Sequence, residues 1–172
     1  MSDATPQVDV EKERAAATYF KERVYATFTG LAIVLVTATA FHPEPDHAFF
    51  ALVLGVLGIT AAGFVSEIIS HLAVHREFPD RRRVEEMLKV AGGAMGTVII
   101  PGGIIVLSWV DVLDIETALT VCAFVFIGTL ALIGWLGVRR SRLPVRQQLL
   151  ALLLLLALGL LVIGLQTIAH AI

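Results

Sequence analysis

A chain of 172 residues with 57% hydrophobic and only 16% charged side chains is too apolar for an ordinary water-soluble globule, and its mean hydropathy of +0.84 says the same. A formal charge of -2 says little about partners, because position along the chain matters more than the sum. The single cysteine, Cys122, excludes an intrachain disulfide framework.

These properties predict an all-α polytopic membrane protein, a bundle of five transmembrane helices with a cytoplasmic N-terminus and an external C-terminus. The predicted spans are about 24–41, 48–75, 88–110, 117–138 and 149–172, each sized for a hydrocarbon layer about 30 Å thick. Residues 21–172 form a single transmembrane domain in this reading, preceded by a polar, partly disordered cytoplasmic segment, 1–20. That segment lacks the basic start, apolar core and small-residue cleavage site of a secretory signal. Its "DVEKERAAATYFKER" is good helix-forming sequence that would extend the first helix or lie on the membrane surface.

After the first predicted span, "FHPEPDH" gathers His42, Glu44, Asp46 and His47. Oxygen and imidazole ligands so close together could attract a divalent cation at an entrance, or simply form an acidic turn stiffened by Pro43 and Pro45. The second external connector, with Asp111, Asp114 and Glu116, is acidic too. A pore opening there would concentrate cations.

The second span carries the most informative residues. Positions four apart drift only about 40° around a helix, so Gly63, Glu67, His71 and His75 form one stripe, with Ser70 beside it. A second stripe of small residues, Gly58, Ala62, Ser66 and Ser70, would let a neighbouring helix approach. Counting back from Arg76 puts Glu67 roughly 13 Å into the apolar layer, where an ionised carboxylate costs about 3 kcal/mol. Apart from Lys89 at the charged start of the third, no Lys or Arg lies in another predicted span to pair with it. The candidate partners are His71, Ser70, Ser66, Thr37, Thr39, Thr97, or a second copy of the chain.

Three readings of this stripe follow. Glu67 could exchange protons or bind a cation, with His71 as partner and His75 as a relay to the cytoplasm. One carboxylate and two imidazoles could instead hold a divalent metal such as Zn, Fe, Mn or Ni, the one cofactor these residues suit. Or Glu67 could be hydrogen-bonded between packed helices with no transport role. The spacing in "HLAVH" also occurs in histidine boxes of membrane di-iron oxygenases, but those need several boxes and this chain has five histidines in all. No serine elbow, glycine-rich phosphate loop or cysteine metal knuckle is present, so an enzyme is disfavoured.

Beyond it, "DRRRVEEMLK" pairs Arg81 and Arg82 with Glu85 and Glu86 at helical spacing, which suits a lipid-facing segment better than a nucleic-acid site. The third span opens with Gly92, Gly93 and Gly96 and carries "IIPGGII". Pro101, Gly102 and Gly103 would form a hinge or a backbone break in a kinked but complete crossing, its freed carbonyls facing Glu67. Trp109 and Trp135 read as interfacial anchors, and Cys122 as a small hydrophobe. "LLALLLLLALGLLVIGL" reads as a peripheral, lipid-facing helix.

All 13 Lys and Arg residues fall in the N-terminal segment, in the second connector with the start of the third span, or in the fourth connector. By the positive-inside rule this orients the chain in a bacterial-type cytoplasmic membrane. The expected function is a small channel or transporter for protons or divalent cations. The alternatives are a non-catalytic scaffold or accessory subunit and an intramembrane metalloenzyme. The expected partners are the lipid bilayer, further copies of the chain in a homo-oligomer, and a small cation or proton, but no nucleic acid.

Overall fold

Ala26, Thr27, Gly30, Leu31 and Val34 recur at helical spacing, and all five are buried. They belong to α1, Thr5–Ala38, around which the other helices gather. The computed structural model describes the backbone of residues 5–140 and the side chains of residues 16–137. Within that range follow α2 (Pro45–His75), α3 (Arg81–Met95), a single 3-10 turn (Gly96–Val98), α4 (Ile99–Trp109) and α5 (Ile115–Arg140). No strand occurs among the described residues.

The boundaries have local causes. Pro45 stands at the first position of α2, where its missing N–H costs nothing, and Arg76 ends that helix in the left-handed region at φ 57°. The Asp80 carboxylate accepts from the backbone N–H of Arg83 at 2.9 Å and caps α3. Asp114 does the same for α5, accepting from the backbone N–H of Thr117 at 3.0 Å.

Hydrogen bonds from the Thr117 side chain and then its backbone hold the Asp114 carboxyl below its ordinary value of 3.8, against a slight opposing effect of burial. A depressed folded pKa means that the cap stabilises fully above about pH 3.8 and that its contribution fades as pH falls through the lower folded value. Asp114→Ala should therefore lower the thermal midpoint at neutral pH, and its difference from wild type should shrink in melts run progressively below pH 4.

The core lies between α1, α2, α4 and α5. Gly30 of α1 receives the Phe126 ring of α5, which would lie 2.5 Å from an added Cβ. Gly55 of α2 likewise takes Ile33 of α1. The Cys122 thiol of α5 donates to the Pro101 carbonyl of α4 at 3.3 Å. At the acidic end Phe49 and Phe50 of α2 both stand 6.1 Å from the Trp109 ring.

Three helices among the described residues are long and apolar enough to cross a membrane: Pro45–His75, Arg81–Trp109 and Ile115–Gly137. Only 22–33% of each apolar window is buried inside the bundle, and residues such as Leu54, Ile69, Ile99, Ile100 and Phe124 point outward. Faces of that extent suit lipid rather than water, consistent with a multi-span membrane location.

The five-span bundle is corrected accordingly, together with the placement of the termini derived from it. Counting Arg81–Trp109 as one, the described residues form four helices, three of them of membrane-crossing character. The first predicted span, 24–41, fails because α1 stops at Ala38. There the chain turns, with the N–H of Thr39 bonded to the Val36 carbonyl and that of Ala40 to the Thr37 carbonyl. Lys21, Glu22 and Arg23 bound the apolar stretch on its other side, so residues 24–38 reach only about 22 Å. The fifth predicted span, 149–172, lies outside the described residues.

Candidate functional site

In the half of the bundle that carries Lys21, Arg23 and Arg81–Arg83, a pocket of about 390 Å³ opens between α1, α2 and α3. Each helix contributes a carboxylate to its lining: Glu22, Glu67 and Glu86. α1 can bring Glu22 there because Gly63 of α2 leaves room. A Cβ at that position would collide with the Glu22 carboxylate. The Glu22 side chain is only 12% exposed, and its ion pair is with its own neighbour Lys21, at 3.5 Å.

Arg83 is the cation inside the pocket. Its Nη2 stands 3.6 Å from Glu67 Oε1 and its Nη1 3.4 Å from Glu86 Oε2, joining α3 to α2 while also bonding along its own helix. Glu86 has a second partner in Arg82, at 3.6 Å, and Arg81 pairs with Glu85 at 3.2 Å, as the helical spacing predicts. Glu67 and Arg83 are each about one-third exposed (33% and 35%), so solvent screens their attraction.

The Arg83 pair answers the question of what accompanies Glu67 among so many apolar residues. Its partner is a basic residue from the first turn of the following helix. The long guanidinium side chain reaches back across the α2–α3 hairpin and joins Glu67 to the charged end of that helix. Thr60, about two turns deeper on α2, also lines the pocket. It is 6% exposed, and its Oγ1 is buried without a hydrogen-bond partner.

The other predicted site residues lie as follows. His71 and His75 stack on one another, ring centroids 4.5 Å apart, beyond Glu67 toward the basic end of α2. His71 is half-buried, His75 exposed, and neither lines the pocket. Ser70 is exposed, as are Gly58, Ala62 and Ser66, so the small-residue stripe faces away from the described helices. It is the Gly63 face that packs inward.

Pro101, Gly102 and Gly103 sit inside α4, the first two buried. The departure from α-helical geometry comes just before them, at Gly96–Val98, where Pro101 has no N–H to bond back to Thr97. The Pro101 carbonyl faces Cys122 on α5 rather than Glu67. Gly92 and Gly96 meet no neighbour, whereas Gly93 receives the Tyr19 ring of α1.

In the loop before α2, His42, Glu44, Asp46 and His47 are all exposed. The His42 ring lies 4.5 Å from Phe41, and Asp46 accepts from the backbone N–H of His47 at 2.7 Å. Among the described residues, no three His, Cys, Asp or Glu side chains come together as a metal-binding group. Neither the loop nor the Glu67, His71 and His75 stripe forms a cage.

Sequence reasoning passed over Glu22 and Thr60. A signal for the first was present in the triplet Lys21, Glu22 and Arg23, where an acid between two bases directly precedes an apolar run. Nothing local marked Thr60, whose hydroxyl matters because of what surrounds it. Comparison with known protein families, characterised proteins and solved structures finds no match to this chain, so the pocket's chemistry is the ground for its function.

Proposed function

We propose that the protein is a small multi-span membrane transporter or channel that handles protons, with Glu67 as the protonatable group. The observation that carries this reading is a pocket lined by one carboxylate from each of three helices and by a single arginine. Glu67 shares its cation, Arg83, with Glu86, and a proton can exchange at such a carboxylate without further ligands. Protons are favoured over divalent cations because no group of three ligating side chains assembles among the described residues.

His71 and His75, stacked toward the basic end, suit a relay between Glu67 and the aqueous phase. By the positive-inside rule that phase is the cytoplasm. The outward small-residue stripe of α2 would serve contacts between copies in a homo-oligomer.

In proteoliposomes carrying a pH gradient, the wild-type chain should dissipate the gradient, and Glu67→Gln should slow that flux by at least about tenfold. Flux unchanged by Glu67→Gln would remove the residue from the path. The second reading, a scaffold or accessory subunit, draws on the same Arg83–Glu67 contact, which ties α2 to α3 whether or not anything moves through the pocket. A wild-type chain that reconstitutes correctly but carries no flux would favour it.

A further inference from the structure

The pocket holds more than proton exchange at Glu67 requires. Glu22 has a carboxylate that is nearly enclosed and whose ion pair, Lys21, is itself 53% exposed. Thr60 has a buried hydroxyl with no partner. Among the described residues the other buried side-chain atoms without a partner are two arginine nitrogens, Arg23 Nε and Arg83 Nε, so Thr60 is the one hydroxyl of this kind. Thr27, Thr37 and Thr129 each donate to the carbonyl four residues earlier, at 2.6, 2.8 and 2.8 Å. Thr60 does not, and a buried hydroxyl left without a hydrogen bond is costly unless something occupies the site.

We propose that this pocket binds a primary alkylammonium group, held by Glu22 and Thr60 from two different helices. An ammonium offers three N–H donors and no acceptor. Glu22, the Thr60 hydroxyl and the Glu67 oxygen not engaged by Arg83 supply three acceptors on the pocket wall. An anion would meet three carboxylates. A bare metal ion would lack a converged ligand set, and a volume of about 390 Å³ is far larger than one ion needs.

The remaining walls suit the carbon chain behind the nitrogen. Phe64, Met87 and Val90 line the pocket, and an aromatic side chain in the wall suits a cationic group better than an anionic one. Arg83 keeps its place in this arrangement, because it occupies Glu67 Oε1 and Glu86 and leaves Glu22 to the ligand. The same ammonium chemistry is presented by a soluble amine and by the headgroup of an ethanolamine lipid. The two sources differ in whether the ligand is free in water.

The test uses the full chain in nanodiscs. In the first arm, radiolabelled methylammonium and ethanolamine are titrated onto protein in phosphatidylcholine discs, in sodium chloride at physiological strength. In the second, the protein is placed in discs mixing phosphatidylcholine with phosphatidylethanolamine, and the lipid retained after delipidation is identified by mass spectrometry. Glu22→Gln should weaken saturable binding or lipid retention by at least about 30-fold and Thr60→Val by about tenfold. Glu85→Gln, which removes an exposed partner of Arg81 outside the pocket, should leave it unchanged.

Saturation in the first arm identifies a soluble amine, and selective retention in the second identifies the lipid. Either supports the proposal when it follows that order of variants. Thr60→Val keeps the shape of the side chain, so it tests the site even where Glu22→Gln fails to fold. No saturable binding in either arm overturns the proposal, as does binding that Glu22→Gln and Thr60→Val leave intact. These measurements involve no proton gradient, so their failure is separable from failure of the flux assay on Glu67→Gln.

Discussion

Replacing Arg83 by methionine should destabilise the folded chain by about 1–2 kcal/mol, and adding Glu67→Gln should return most of that loss. Methionine keeps much of the aliphatic bulk but leaves Glu67 and Glu86 without their shared cation. Glu86 retains Arg82, so the penalty falls chiefly on Glu67. An amide at that position needs no counter-ion. The figure stays well below the 3–5 kcal/mol of a fully buried broken pair because both side chains are about one-third exposed. Denaturant midpoints of wild type, the two single variants and the double variant in detergent close the cycle. Additivity within about 0.3 kcal/mol would mean that the ion pair contributes nothing to the fold.

A larger loss is expected in the core between α1 and α5. Phe126→Ala should cost about 3–5 kcal/mol, because the ring is 1% exposed and fills the space that Gly30 leaves between α1 and α5. Gly30→Ala attacks the same contact from the opposite side by setting a methyl into the ring, at a cost of about 1–3 kcal/mol. The two together should be less damaging than their sum, since the methyl then enters the cavity left by the ring. Phe124→Ala, two positions away and 70% exposed, should stay within about 0.5 kcal/mol. Thermal or denaturant unfolding of the four variants checks all of these, and equal effects at Phe124 and Phe126 would contradict the packing described for α5.

Much of this architecture was legible because it is local. The apolar runs between residues 45 and 138 became helices, and the acidic turns close hairpins as their prolines and aspartates suggest. Arg81 and Arg82 meet Glu85 and Glu86 because i,i+4 spacing is a property of one helix. The end of α1 was not legible. Thr39, Ala40 and Phe41 are as apolar as a span requires, and composition does not reveal where the backbone turns.

The site was harder to read for a related reason. Glu67 stood out as an acid among apolar residues, but its partner is set by the tilt of α2 against α3 and by the reach of a long side chain. No spacing along one helix encodes either. Two small-residue faces compete on α2, and the sequence does not say that the one containing Gly63, rather than Gly58, Ala62, Ser66 and Ser70, turns inward. That choice places Glu22 in the pocket.

The bond from Cys122 to the Pro101 carbonyl has a practical side. The chain contains one cysteine, and it is sealed between α4 and α5 with its sulfur already engaged. Thiol reagents in the surrounding medium therefore meet a surface that, for their chemistry, is blank. A cysteine introduced beside the pocket or on the outward face of α2 would carry its label essentially alone, with no native thiol to remove first.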